Sequence, residues 1–152
     1  FQTIDDIVYS AIENKFRHIK PYKGALRCLE TLRASGFRLG LLSDLPPVRK
    51  IEFMGMSQFF DVVLCSERFG ALKPALRPFS ALAEGLGQRP EEILYVGNKY
   101  EYDVVGARMA GMKTALIGRG KKGCNPDFSF LRWEDLVHWI IKESSGSSPS
   151  KP

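Results

Sequence analysis

The sequence contains few cysteines and no long apolar run, and both shortages narrow what the chain can be. Its cysteines are Cys28, Cys65 and Cys124. They are odd in number, far apart and never spaced as Cys-x-x-Cys, which argues against a disulfide framework or a thiol metal site. Cys28 and Cys65 are predicted to lie in the core as reduced thiols. No apolar run approaches the roughly 20 residues that a membrane helix needs, and no signal-peptide pattern opens the chain. We therefore expect a soluble, cytoplasmic protein with no membrane partner.

A concentrated positive charge is also lacking. The formal net charge is +5, but acidic residues are interspersed among the basic ones, and only Arg119, Lys121 and Lys122 cluster. No aromatic stacking surface or recognition helix accompanies that cluster, which disfavours nucleic-acid binding. The two histidines, His18 and His138, have no companions that would indicate a metal or catalytic site.

What the sequence does contain is enough apolar residues, 44% of the chain, to form the core of one globular domain. Short apolar runs of strand length alternate with segments of helical period. The predicted strands are residues 38–42, 62–65, 93–96, 114–117 and, as a short edge, 128–131. The predicted helices are residues 3–17, a segment ending at Gly36, 48–54, 77–86, a segment ending at Gly111, and 133–142. This alternation predicts an α/β, Rossmann-like three-layer fold with a mostly parallel sheet.

Two helices carry apolar stripes that predict which side faces the core. In the helix ending at Gly36 the predicted buried residues are Leu26, Leu29 and Leu32. In the closing helix they are Leu136, Val137, Ile140 and Ile141.

Residues 118–123 (GRGKKG) match the Gly-x-Gly-x-x-Gly pattern of a dinucleotide-binding turn. That pattern requires a helix to begin inside the motif, and Asn125-Pro126 opposes one. We therefore interpret the segment as a flexible basic loop.

Polar side chains follow three of the predicted strands. Ser43 follows the first, Lys73 lies in the loop after the second, and Asn98 and Asp103 follow the third. Because ligands bind outside the carboxyl ends of parallel strands, these groups can surround one anion or metal ion. Taken singly, each residue has an ordinary alternative: Ser43 as a helix cap, Lys73 as solvated charge, Asn98 in a turn and Asp103 as a cap.

The order of these segments resembles the haloacid dehalogenase-like hydrolases over most of residues 20–142. Residues 39–44 (LGLLSD) are similar to the family's second motif, 72–74 (LKP) to its third, and 95–103 (YVGNKYEYD) with 106–112 (GARMAGM) to its fourth. Residues 21–24 (PYKG) resemble the family's entry into its core domain after the cap.

The resemblance implies a phosphatase with Mg²⁺ as its cofactor and a small phosphorylated molecule as its partner. It implies that Ser43, Asp44 and Lys73 bind the phosphate, that Ser43 and Lys73 act in catalysis, and that Asn98 and Asp103 serve the metal.

Two departures from the family pattern bear on activity. The sequence has no apolar strand ending in Asp-x-Asp, the family's nucleophile motif; Asp5-Asp6 stand at the start of a helical pattern instead. In the family that strand lies between the strands predicted at 38–42 and 93–96. Either it lies upstream of Phe1, or the two strands have closed together. The second departure is Asn98, where the family usually has Asp, which should weaken Mg²⁺ binding.

These departures shape the expected organisation of the chain. Residues 1–19 are predicted to be the end of a helical cap, 20–142 a core domain lacking its first strand, and 143–152 a disordered tail. We expect a fragment of a Mg²⁺-dependent phosphatase that is inactive without its nucleophile. The alternative is a non-catalytic domain that binds a phosphorylated ligand or a protein partner.

Overall fold

A computed structural model describes residue 16, residues 18–120 and residues 122–146. The predicted helix at 3–17, Asp5-Asp6 and Lys121 therefore lie wholly or almost wholly outside the described residues. No helix among the described residues is long and apolar enough to cross a membrane.

The described residues alternate between strand and helix as the sequence predicts. The strands are β1 (Gly40–Ser43), β2 (Val62–Cys65), β3 (Leu94–Gly97), β4 (Lys113–Ile117) and β5 (Phe128–Phe130). The helices are α1 (Ala25–Ala34), α2 (Val48–Phe53), α3 (Leu76–Leu86), α4 (Val105–Met109) and α5 (Trp133–Gly146). A π-helical turn, Tyr100–Val104, leads into α4. Every strand pair is parallel, which confirms the predicted α/β class.

The strands form two sheets instead of one. β1 pairs with β2, and β3, β4 and β5 pair in that order. No strand pairing joins β1 to β3 among the described residues. The sequence left open that these two strands had closed together. The described residues do not show that arrangement.

The two sheets nevertheless share one set of covering helices. On one face, Leu42 of β1 and Tyr95 of β3 belong to a single buried cluster with Phe79 and Leu82 of α3 and Ala107 of α4. On the other face, α1 and α5 contribute Cys28, Leu32 and Leu136 to a cluster that includes Ala115 and Phe130. The molecule therefore has three layers, with β1 and β3 held over the same helix but not hydrogen-bonded to each other.

Two of the helices, α1 and α5, show how the elements are held in place. Gly24 and Gly36, both with positive φ, flank α1 at its two ends, and Gly36 occupies the predicted C′ position. The α5 helix is docked by aromatic contacts: Phe128 stacks on Trp139 with ring centroids 4.9 Å apart, and Phe130 meets Trp133 edge-on at 5.3 Å.

The structure corrects several local predictions. Leu26 is exposed, and the buried side of α1 is formed by Ala25, Cys28 and Leu32, because this is the side that meets the sheet and α5. Ile141 is exposed as well. Of the apolar stripe predicted on α5, only Leu136 is fully buried.

The α5 helix also continues to Gly146, so residues 143–146 are helical where a disordered tail was predicted. The hydroxyls of Ser144 and Ser145 donate to the carbonyls of Ile140 and Ile141, which gives these polar residues partners inside the helix. Residues 147–152 lie outside the described part of the chain.

The basic loop agrees with its prediction in one respect. Residues 118–120 and 122–123 contain no helix, so the Gly-x-Gly-x-x-Gly pattern does not form the strand-turn-helix of a dinucleotide site over these residues. The three cysteines are free, and Cys28 and Cys65 are buried as predicted.

Candidate phosphate-binding site

The polar residues predicted from the sequence do gather at the carboxyl ends of the strands. Ser43 is the last residue of β1, and Gly97, which precedes Asn98, is the last residue of β3. Lys73 follows β2 at the end of a long loop, and its peptide bond to Pro74 is cis. The three loops therefore converge at one edge of the molecule, as parallel strands require.

Lys73 and Asp103 form the centre of the site. The Lys73 Nζ atom lies 2.7 Å from Asp103 Oδ1, and the two side chains are only 13% and 6% exposed. Charged side chains are rarely buried to this degree unless they are paired. The pair joins the loop after β2 to the π-helical turn after β3, and so it spans the two sheets.

The other Asp103 oxygen is held by the backbone. Oδ2 accepts the N–H groups of Asn98 and Lys99, each at 3.0 Å. Gly97 permits this close approach, because a Cβ at that position would overlap the Asp103 side chain. The Asp103 carboxylate is thereby fixed from three directions.

Asp44 fixes Lys73 from the other side. Its Oδ1 atom accepts the backbone N–H of Lys73 at 3.0 Å. Asp44 was predicted to contact phosphate; the structure shows that its carboxylate connects the loop after β1 to the lysine loop. Its role toward phosphate stays a prediction.

Ser43 and Asn98 are placed differently. Ser43 is half-buried and Asn98 is exposed, and neither side chain has a hydrogen bond within the part of the chain that the structure describes. Both side chains are therefore available to a ligand at this edge.

Tyr95 is a feature of the site that sequence reasoning missed. It lies on β3 with 9% exposure, edge-on to Phe79. Burial, and after it the carboxylates of Asp103 and Asp44, raises the pKa of the Tyr95 phenol well above its usual range. Tyr95 is thus a neutral residue close to both acids. The only signal in the sequence was a hydroxyl-bearing residue inside an otherwise apolar strand.

The described residues do not by themselves make up a Mg²⁺ site. Both Asp103 oxygens already accept hydrogen bonds, one of them from an ammonium group. No group of three His, Cys, Asp or Glu side chains suited to a metal occurs in the described ranges. Asn98 and Asp103 could supply oxygen atoms to a metal only together with ligands from elsewhere. The metal role predicted for them remains a prediction.

Comparison with known proteins identifies the kind of protein to which this site belongs. A family model described as haloacid dehalogenase-like hydrolase matches residues 2–117. A glyceraldehyde 3-phosphate phosphatase of Methanopyrus kandleri is 39% identical over 142 residues, which are 86% of this chain and 60% of that protein. A phosphoglycolate phosphatase of Aquifex aeolicus is 35% identical over 132 residues, 83% of this chain and 62% of that protein.

Solved structures agree with these sequence comparisons. The crystal structure of a HAD phosphatase from Thermococcus onnurineus superposes with a TM-score of 0.77 and 29% sequence identity, over 87% of this chain and 64% of that one. The chain spans about 60% of the length of the two phosphatases named above.

Proposed function

The chain belongs to the haloacid dehalogenase-like hydrolase family, and from this premise we propose that its described core forms the phosphate-binding part of a phosphatase site for a small phosphate ester. The observation that carries the proposal is the buried Lys73–Asp103 pair at the carboxyl edge of the strands. A buried ammonium group held next to open polar side chains is suited to a phosphoryl group, which carries two negative charges.

In this proposal each residue has a distinct task. The Ser43 hydroxyl donates a hydrogen bond to a phosphoryl oxygen. The Lys73 ammonium has three N–H donors; one is held by Asp103, which leaves two for the phosphoryl oxygens and a nucleophile. Asp103 is a positioning residue, because it acts through the lysine.

We propose that the nucleophile is an aspartate on a further strand between β1 and β3. Both strands lie over α3 and share its core cluster, yet they are not paired with each other in the described ranges. A parallel strand in this gap would end at the same edge as Ser43 and Gly97. The roles of Ser43 and Lys73 in binding phosphate do not depend on that strand or on the predicted Mg²⁺.

Phosphate binding by the 152-residue chain tests the proposal. We expect inorganic phosphate to shift the amide resonances of residues 43–44, 73 and 98–99 in a two-dimensional NMR titration. Ser43→Ala should weaken binding several-fold, because it removes a donor whose loss leaves no buried group unpaired. Lys113→Met, at the exposed start of β4 and the opposite end of the strands, controls for non-specific attraction of phosphate to surface lysines and should bind as the unaltered chain does.

Two results would contradict the proposal. The phosphate site would be contradicted if inorganic phosphate caused no shifts of these amide resonances, or if Ser43→Ala left the shifts unchanged. The purified 152-residue chain, of the correct mass, should not release phosphate from an ester by itself. If it did, the nucleophile could not lie on a further strand.

A non-catalytic phosphate-binding domain is the second candidate, and Asn98 favours it. A carboxamide offers an oxygen to Mg²⁺ without a charge, which weakens the metal site. We predict that Asn98→Asp, in a protein that includes the nucleophile strand, tightens Mg²⁺ binding by about tenfold, measured by calorimetric titration. An unchanged Mg²⁺ affinity would show that residue 98 does not contact the metal.

A further inference from the structure

The basic loop after β4, residues 118–123, leaves the sheet at the same edge as the phosphate site. β4 ends at Ile117 and pairs in parallel with β3, with Leu116 opposite Gly97. Neighbouring strands lie about 4.8 Å apart, so the loops that follow β3 and β4 start side by side. The positive charge of the basic loop is therefore next to the loop that carries Asn98.

The basic loop is anchored at both ends. At its start, the backbone N–H of Gly118 donates to the carbonyl of Phe130 on β5 at 2.8 Å. Just beyond its end, the side-chain oxygen of Asn125 accepts the Tyr100 hydroxyl at 2.8 Å. Tyr100 belongs to the π-helical turn that also contains Asp103. The loop is thus tied to the segment that builds the phosphate site.

Three exposed cations stand on this side of the site. The side chains of Lys99, Arg119 and Lys122 are exposed, and they make no hydrogen bond or ion pair with another described residue. The backbone N–H of Lys99 donates to Asp103 Oδ2 at 3.0 Å, and Oδ1 of the same carboxylate holds the Lys73 ammonium. One carboxylate therefore separates Lys99 from the proposed phosphate position.

Acidic residues on this side are fewer than the cations. Between Asn98 and Asn125 the sequence contains two, Glu101 and Asp103. Asp103 is already paired with Lys73, whereas Glu101 is exposed to solvent. The loops after β3 and β4 therefore offer a net positive charge to a ligand at this edge.

We propose that these two loops bind a second anionic group of the substrate, and that the substrates are phosphate esters with a further phosphate or carboxylate on the same carbon chain. Lys99, Arg119 and Lys122 determine this specificity through their charge. Lys73 reaches the site from the other sheet and β4 lies about 4.8 Å beyond β3, so several carbon atoms must separate the two anionic groups. The inference rests on the phosphate site proposed above and adds the substrate class to it.

The test compares two esters that differ only in a second phosphate, fructose 6-phosphate and fructose 1,6-bisphosphate, in NMR titrations of the chain at low ionic strength. We expect both to shift the amide resonances of residues 43–44 and 73, and only the bisphosphate to shift those of residues 118–120. The bisphosphate should bind about tenfold more tightly, because its second phosphate meets the exposed cations. This exceeds the roughly twofold gain that two equivalent phosphates give by statistics alone.

Removing charge from the basic loop should abolish that preference. Arg119→Gln combined with Lys122→Gln should lower the ratio of the two affinities to about twofold and change fructose 6-phosphate binding by less than about twofold. The control combines Lys113→Gln with Lys142→Gln, which removes the same charge from exposed positions at the start of β4 and near the end of α5. It should leave the ratio at about tenfold, since both positions lie more than a Debye length, about 10 Å, from the phosphate edge.

The outcomes separate this inference from the proposed function. If neither ester shifts the resonances of Ser43 and Lys73, the phosphate site fails and the substrate class fails with it. If both esters bind in a manner that depends on Ser43 but with equal affinity, the phosphate site stands and the inference is overturned. If the two double variants lower the ratio alike, the preference arises from the overall charge of the chain, and the assignment to the basic loop is overturned.

Discussion

Asp103 is the residue on which most of the site geometry depends. Its carboxylate pairs with Lys73 and accepts two backbone N–H groups while almost fully buried. Removing it leaves an ammonium group and two amide groups without partners in a poorly solvated position, which is more costly than losing a surface pair.

We predict that Asp103→Ala lowers the free energy of unfolding by about 3 kcal/mol, measured by urea denaturation. Asp135→Ala removes an ion pair of similar length, 2.7 Å between Arg132 and Asp135, whose partners are 73% and 38% exposed. Water replaces that partner easily, so this control should unfold at nearly the same urea concentration as the unaltered chain. Equal midpoints for both variants would show that the Lys73–Asp103 pair does not stabilise the fold.

At the scale of single elements, the approach of α4 to α3 depends on a glycine. A Cβ at Gly106 would overlap the Phe79 ring and come within 2.9 Å of the Pro74 carbonyl oxygen. Phe79 is fully buried and Pro74 follows the site lysine, so neither can move without disturbing the core or the site.

Gly106→Ala should therefore destabilise the chain by about 2 kcal/mol in chemical denaturation, the range found for overpacked cores. Gly146→Ala is the matched comparison, since a Cβ there meets nothing within 4 Å and alanine is the better helix former. A Gly106→Ala variant as stable as the parent would mean that α3 and α4 pack less closely than described.

The connection between α1 and the first sheet includes an ionisable carboxylate, that of Asp61. Asp61 accepts the backbone N–H of Leu39 at 2.8 Å and a hydrogen bond from Arg33 Nη1 at 2.6 Å. The Leu39 N–H is the largest cause that lowers the pKa of Asp61, with Arg33 adding to it.

A carboxyl group whose folded pKa is depressed stabilises the fold above its unfolded pKa, which for Asp is about 3.9, and loses that contribution as the pH falls through the folded pKa. We predict that Asp61→Asn lowers the thermal midpoint at pH 7 and that the difference from the parent shrinks as the pH falls below about 4. A difference that is constant from pH 7 to pH 3 would contradict a contribution from this ionised carboxylate.

How well the elements could be predicted depended on whether their signal is local. Residues 62–65 were predicted with their observed bounds, because an apolar run between polar breaks is a local pattern. The buried side of α1 was predicted only in part: Leu32 and Cys28 are buried as predicted, but Leu26 is exposed. Which side of α1 is covered depends on α5, which lies a hundred residues along the chain. The π-helical turn before α4 was also missed, since it is stabilised by contacts between Asp103 and the end of β3.

The site, like the helices and strands, was predictable only where its signal is local in the sequence. Polar residues after apolar strands indicated Ser43, Lys73, Asn98 and Asp103, since parallel strands end at one edge. That Asp44 holds the Lys73 backbone and that both Asp103 oxygens are occupied could not be predicted, because these contacts depend on the paths of three loops.

For the molecule as a whole, the main feature is that one edge of β1 and one edge of β3 pair with no other strand among the described residues. Strand edges with unpaired N–H and C=O groups are templates for pairing with other chains. We predict that the 152-residue chain associates with increasing concentration in sedimentation experiments, and that added salt does not reverse the association.

Salt distinguishes this association from one made by the exposed basic residues Arg119 and Lys122, which would weaken as salt screens their charge. A chain that stays monomeric at every accessible concentration would show that the edges of β1 and β3 are protected in solution.

The position of the Lys73–Asp103 pair has a mechanical consequence for the molecule. Lys73 follows a strand of the two-stranded sheet and Asp103 follows a strand of the three-stranded sheet, so the pair is a polar tether between two halves that share no backbone ladder within the described residues. An anion that draws the Lys73 ammonium away from Asp103 weakens this contact between the two sheets. By thermodynamic reciprocity, any change that separates the two sheets must also change the affinity for the anion. If the proposed phosphate site is correct, recognition of phosphate and the connection between the two sheets therefore depend on the same lysine.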